Sequence, residues 1–256
     1  MRASPTTTHT QHKDPLRCEC KVSRKHSRTQ RGASALSFSQ ESDSIVISKM
    51  QVVDLGLSVD WAGYNIGATS PEESGNYYSW GEKEVKSSYY RSSYLHSKDN
   101  AAIDIGESIC GGEYDAATAA WGDGWRLPSI SEVEELRDEC DWAWMTYNGV
   151  PGCCVTGPSG NSIFLPAAGI FWGAKKQGIG EEGWYWIGDC AEDKECAKII
   201  YIEASRYTPD FLAIMDIIDP ITDAKKIGGQ TIRAVREHSD AVQGDSVELN
   251  DTIESE

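Results

Sequence analysis

The chain has 256 residues, 39% of them hydrophobic and 25% charged, with a formal net charge of -16. That is enough for one large domain with tails, and it excludes two full catalytic domains. No run approaches the roughly 18 apolar residues that cross a bilayer as a helix, so an integral membrane segment is excluded. The charge is uneven: residues 1–50 carry nine Lys/Arg against four Asp/Glu, and residues 51–237 carry fifteen against thirty. An acidic domain repels phosphate backbones, so nucleic acid is excluded as the main ligand.

Residues 1–50 hold no Trp or Tyr and are rich in Ser, Thr, Arg and Lys. Such a composition does not offset the entropy of ordering, and a disordered basic segment is expected. Neither a basic start followed by an apolar stretch nor a small-residue cleavage site is visible in it. His9, His12, Cys18, Cys20 and His26 are zinc-ligand types, but Cys-x-Cys is tighter than the usual spacing and no core residues surround it. The folded domain is placed at 52–237, and 238–256, with six acidic and no basic residues, reads as a solvated tail.

Within the domain, Asp115 can cap an Ala-rich turn that stops at Gly122, which predicts a short helix over 114–121. Ser129 and Glu132 have capping-box spacing, and Ile130, Val133 and Leu136 line one face, which predicts a second helix over 130–140. Segments 154–156 and 162–165 flank Gly157-Pro-Ser-Gly-Asn161 as a hairpin with a longer loop. Further strands are expected at 184–187, 197–203, 211–218 and 231–235, each β-branched or aromatic and bounded by Gly, Pro or Asp. Two helices and about eight short strands argue for an α+β fold with mainly antiparallel pairing.

All nine Trp lie between Trp61 and Trp186. In Trp184-Tyr-Trp186 the alternation sends both Trp to one sheet face and Tyr185 to the other. The two Trp are assigned to the core. Tyr185, Trp172 and Tyr207 are the candidate exposed, ligand-contacting aromatics, because such side chains bring large contact area at low rotamer cost. Phe171, Trp142 and Trp144 pose the same choice. Arg126 is expected to orient carbonyls or a buried carboxylate. His96 reads as a surface histidine and supports no catalytic triad. Glu192 with Asp193, or Asp216 with Asp219, offer oxygens for Ca²⁺, but the competing reading is a solvated acidic loop. Cys190 and Cys196 can form a local disulfide if the chain is exported, although the eight cysteines permit many connectivities and the sequence does not choose among them. Asp189, Glu192, Asp193 and Glu195 crowd this pair, which disfavours thiol catalysis.

Several motifs together resemble one family: Asp54-Leu-Gly-Leu-Ser-Val59, Trp61-Ala62, Asn65-Ile-Gly-Ala68, Tyr77-Tyr-Ser-Trp-Gly-Glu82, Tyr114-Asp-Ala-Ala117, Trp121-Gly-Asp-Gly-Trp-Arg-Leu-Pro128, Gly160-Asn-Ser-Ile-Phe-Leu-Pro-Ala-Ala-Gly169 and Thr231-Ile-Arg-Ala-Val-Arg236. In this order they look like the Fibrobacter succinogenes major paralogous domain, common in secreted proteins of Bacteroidetes. The resemblance covers about 54–236 and implies a C-type-lectin-like fold with two short helices and small antiparallel sheets. It implies a non-enzymatic binding module without a cofactor, outside the cell or on its surface, which meets a glycan or a surface protein through loops at about 170–230. The calcium-lectin motifs are missing. Two alternatives stay open: an assembly subunit such as an adhesin or fimbria-associated protein, and a cysteine enzyme like the formylglycine-generating enzymes, which share the fold.

Overall fold

The computed structural model describes residues 52–122, 124–207 and 219–238. The expectations for the basic segment and its zinc-type residues, for a strand at 211–218, for Asp216 and for the tail past His238 lie outside the described residues. The first strands are β1 (Val52–Val53), β2 (Asp60–Ala62), β3 (Ser97–Lys98), β4 (Ala101–Ala102) and β5 (Trp125–Arg126). Next come β6 (Asp141–Tyr147), β7 (Val150–Thr156), β8 (Ser162–Pro166), β9 (Ile170–Trp172) and β10 (Lys175–Gln177). The last are β11 (Glu182–Cys190), β12 (Cys196–Glu203), β13 (Ile221–Lys225) and β14 (Val235–Arg236), while α1 (Ala116–Trp121) and α2 (Ile130–Glu139) flank β5.

Every strand pair is antiparallel. The sheets have the orders β1-β2-β14-β5, β11-β12-β13 and β6-β7-β8, with two-stranded ribbons β10-β9 and β3-β4. The fold is α+β and rich in sheet, as expected from the sequence.

Both helices form for the reasons read from the chain. The Asp115 carboxylate accepts from the amides of Ala117 and Thr118 at the start of α1, and Gly122 ends the helix at φ 89°. The same carboxylate accepts from Gly111 at 2.7 Å and Leu127 at 2.8 Å, so one buried side chain ties the helix to the Trp-Arg-Leu-Pro segment. Ser129 and Glu132 complete the capping box of α2. Arg126 grips Glu132 through two nitrogens, at 2.9 and 2.6 Å, and also reaches Glu237 at 2.6 Å. Burial pushes the Glu132 carboxyl up, but this guanidinium and the Ser129 donors outweigh it and hold the group low. The expected structural role of Arg126 is met by this fork.

The hairpin around 157–161 has the predicted loop, with Thr156 opposite Ser162. Two core clusters meet at the β11-β12-β13 sheet. Trp184 and Trp186 join Trp80, Ile199 and Tyr201 on one face, whereas Tyr185 and Ile187 join Trp61, Ile200 and Ile202 on the other. Arg233 is fully buried and has no carboxylate within ion-pair distance among the described residues; it donates to Asn65 Oδ1, the Ala62 carbonyl and the Phe164 carbonyl at 2.9, 3.1 and 2.8 Å. Desolvation lowers its pKa to about 10.

Candidate functional site

The sequence-predicted residues do not assemble into one site. Tyr185 is 0% exposed, and its hydroxyl donates to the Pro166 carbonyl. Its assignment as an exposed contact is corrected: β11 is covered on both faces, so the alternation that buries the two Trp buries Tyr185 as well. Tyr207 is half-buried and stacks on Trp144 with ring centroids 5.9 Å apart. Its hydroxyl is enclosed near Cys153, and burial raises its pKa. Trp172 is half-buried and packs on the first core cluster. Trp142, also half-buried, donates its indole N–H to the Leu136 carbonyl at 3.2 Å.

The Cys190–Cys196 disulfide is also corrected, since Cys190 is a free thiol. A register shift between Trp186 and Cys190 sets Cys190 opposite Ala197. Adjacent strand residues point to opposite sheet faces, so Cys196 is directed away from Cys190. His96, expected on the surface, is half-buried between Tyr94 and Tyr114, with a ring nitrogen 2.9 Å from the Gly81 carbonyl.

The structure instead shows a polar and aromatic groove in a segment to which the sequence assigned no function. An open cavity of about 490 Å³ is lined by Tyr90, Arg91, Ser92, Tyr94, Ser97, Asp99 and Asn100. Its support starts from motif residues. Glu82 is buried; one oxygen accepts from the Leu95 amide at 2.7 Å and the other pairs with Lys86 at 2.5 Å. Tyr94 donates to the Trp80 carbonyl at 2.9 Å, and burial, with the charge of Glu82 added, raises its pKa. Tyr89 exchanges backbone bonds with Gly173, at 2.6 and 3.1 Å. This pairing sets Tyr90 beside the residue that follows Trp172.

Gly173 has φ 61°, and a Cβ there would lie 3.1 Å from the Tyr90 ring, so the glycine makes room for the aromatic wall. Tyr90 itself is 51% exposed. The opposite rim is the β3–β4 ribbon, whose turn residues Asp99 and Asn100 have φ 51° and 65°. Positive φ at both positions belongs to the tight hairpin turn that matches strand twist, and Asp and Asn tolerate it better than most residues. Glu195 locks this rim in place: it accepts from the Ala102 amide at 2.6 Å and pairs with Arg91. The other Arg91 terminal nitrogen, Nη1, has no hydrogen-bond partner among the described residues. The groove thus offers a phenol ring, a guanidinium, hydroxyls, a carboxylate and an amide. That set can stack on an apolar ring face and hydrogen-bond its polar edge. The signals in the sequence were Tyr89-Tyr-Arg91 and the Asp99-Asn100 turn, neither of which carries a periodicity.

Among the described residues, the groups that come together for a metal are Asp54, Asp60 and His238, whose ligand-type atoms lie within 4.8 Å of one another. They are already engaged. His238 bonds Asp60 at 2.9 Å and the Leu57 carbonyl at 2.8 Å, and Arg236 reaches Asp60 at 3.4 Å. Of the expected calcium oxygens, Asp193 pairs with Lys225 and accepts from the Glu195 amide. Asp219 lies 3.7 Å from Arg137. No helix of the described residues is long and apolar enough to cross a membrane. Comparison of the chain with protein-family models, with curated proteins and with solved structures gives no match.

Proposed function

We propose that the chain is a non-enzymatic binding module of C-type-lectin-like type, acting outside the cell or on its surface, and that it holds a glycan in the Tyr90–Asn100 groove. The observation that carries this reading is the exposed Tyr90 ring, seated on Gly173 and facing a hydroxyl, carboxylate and amide rim. Aromatic stacking with planar polar groups is the chemistry that recognises a sugar ring. The motif resemblance supports the fold assignment, and the loop-borne position of the groove agrees with specificity carried on a rigid scaffold. Relative to the sequence reading, the contact set moves from loops at 170–230 to the segment 90–100, with Trp172 and Gly173 behind it.

A glycan array probed with the full chain, with and without chelator, followed by titration calorimetry on any hit, tests the proposal. Saturable, chelator-insensitive binding that weakens about tenfold or more in Tyr90→Ala and Asn100→Ala is expected, a loss of at least about 1.4 kcal/mol. Undiminished binding in both variants would remove the groove from the reading. A blank array would favour the assembly-subunit alternative, which has its own support: Val85, Leu95 and Ile103, on the same segment, are exposed apolar side chains, Leu95 at 71%. Exposed apolar side chains along one segment are the kind of surface a protein contact would cover.

A further inference from the structure

A second chemistry-bearing pair lies behind the groove. Lys226 follows β13 and is 0% exposed. Its ammonium group donates to Cys190 Sγ at 3.1 Å and sits 4.3 Å above the Trp80 ring. Nearby carboxylates are taken by other cations: Glu82 by Lys86, Asp193 by Lys225, Glu195 by Arg91 and Asp223 by Lys198. Among the described residues, none approaches Lys226 within ion-pair distance. A buried ammonium held only by a sulfur and an indole face is expensive, because removing the charge from water is not offset by an opposite charge. The lysine is nonetheless fixed at both backbone ends, its amide on the Glu195 carbonyl and its carbonyl on the Trp80 amide, each at 3.0 Å. Cys190 is equally fixed at the end of β11, with its amide on the Glu107 carbonyl at 2.7 Å.

We infer that Cys190 and Lys226 form a site of oxidative modification, in which dioxygen links the two side chains through a covalent nitrogen–oxygen–sulfur bridge. The amine reacts as the neutral base after releasing a proton to solvent. The Cys190 S–H bond and one Lys226 N–H bond break, S–O and O–N bonds form, and the second oxygen atom leaves as water. Sulfur and nitrogen each give up two electrons, and the dioxygen molecule takes all four. The bridge replaces a buried cation by a neutral link, and the two atoms already stand at hydrogen-bond distance, so neither main chain needs to move. The other free thiols among the described residues lack this arrangement: burial pushes Cys110 to about 11, both Cys140 and Cys153 to about 12, and Cys154 upward as well, and none of them accepts from a lysine. β11 and β13 are the two outer strands of their sheet and do not touch through hydrogen bonds. The bridge therefore staples strands that the sheet itself leaves unpaired. This inference stands apart from the glycan reading.

The test is peptide mapping by high-resolution mass spectrometry of the full chain, kept in air-saturated buffer or under nitrogen, then unfolded and alkylated without reductant. In air, the peptides of Cys190 and Lys226 should appear joined, with a mass equal to their sum plus one oxygen less two hydrogens, and with loss of tryptic cleavage at Lys226. Dithiol treatment, which supplies the four electrons, should return the free peptides. Lys226→Met and Cys190→Ser should each abolish the joined species. Full alkylation of Cys190 after air exposure, or its oxidation to a sulfenic acid or a disulfide while Lys226 remains cleavable, would overturn the inference; these wild-type readouts hold whether or not the variants fold.

Discussion

The β11–β12 hairpin and the segment from Val85 to Ile103 are built from similar aromatic and apolar residues and used in opposite ways. In the hairpin, Trp184, Tyr185, Trp186, Ile199, Ile200 and Ile202 are all buried, because the sheet is covered on both faces. In the segment, Val85, Tyr90, Leu95 and Ile103 are exposed, while their neighbours Tyr89 and Tyr94 are buried and bonded to backbone carbonyls. Residue type alone does not separate a core from a contact surface here. What separates them is whether a second layer exists to cover the face.

The largest expected effect that sharpens this contrast is in the hairpin. Trp186→Ala empties a core position and removes the donor to the Tyr78 carbonyl, and chemical denaturation should show a loss of about 3–5 kcal/mol. Asp115→Ala strips four backbone amides of their acceptor and should cost about 3 kcal/mol, with partial recovery in Asp115→Asn. Tyr185→Phe leaves the buried Pro166 carbonyl without its phenol donor and should cost about 1–2 kcal/mol. Ligand binding should be untouched; a binding defect in Tyr185→Phe at unchanged stability would break the division between the two regions. Tyr90→Ala should change stability by less than about 0.5 kcal/mol, the range for surface positions, while it removes the groove wall.

The smallest effect concerns pH. The His238 pKa is raised by its bond to the Leu57 carbonyl and then by Asp60, since only an imidazolium donates from both nitrogens. A raised folded-state pKa means that the folded chain binds the proton more tightly. The contribution is complete below the unfolded value and is lost as pH rises through the folded one. The thermal midpoint should fall slightly on going from acidic to alkaline conditions across the ordinary histidine range. In His238→Asn that part of the slope should vanish.

Local structure was legible wherever a side chain speaks to its own backbone. The Asp115 cap, the Ser129–Glu132 box and the Gly157–Asn161 loop are interactions across a few residues, and the chain states them directly. Face assignment was half legible. Alternation in Trp184-Tyr-Trp186 established that the side chains part, but the layer over Tyr185 comes from β7, β8 and α2, which no local pattern announces. The Cys190–Cys196 pairing failed on register: a shift in one strand turned the cysteine toward Lys226, 36 residues on. The groove was illegible because its rim is joined by contacts across long separations, Arg91 to Glu195 and Tyr89 to Gly173, within a Ser-rich stretch of no fixed period.

One feature of the first sheet bears on how such a domain is carried in a polypeptide. β1 and β14 lie on either side of β2, with Val52 opposite Ala62 and Arg236 opposite Asp60. Two strand spacings and two residues of rise leave Val52 and Arg236 about 12 Å apart. A unit of this shape is a plug rather than a spacer: it can be spliced into a surface loop of a host without prising the host open, or strung in arrays that hardly lengthen the whole. A circular permutant that joins 52 to 237 through a short glycine-rich bridge should keep the same topology.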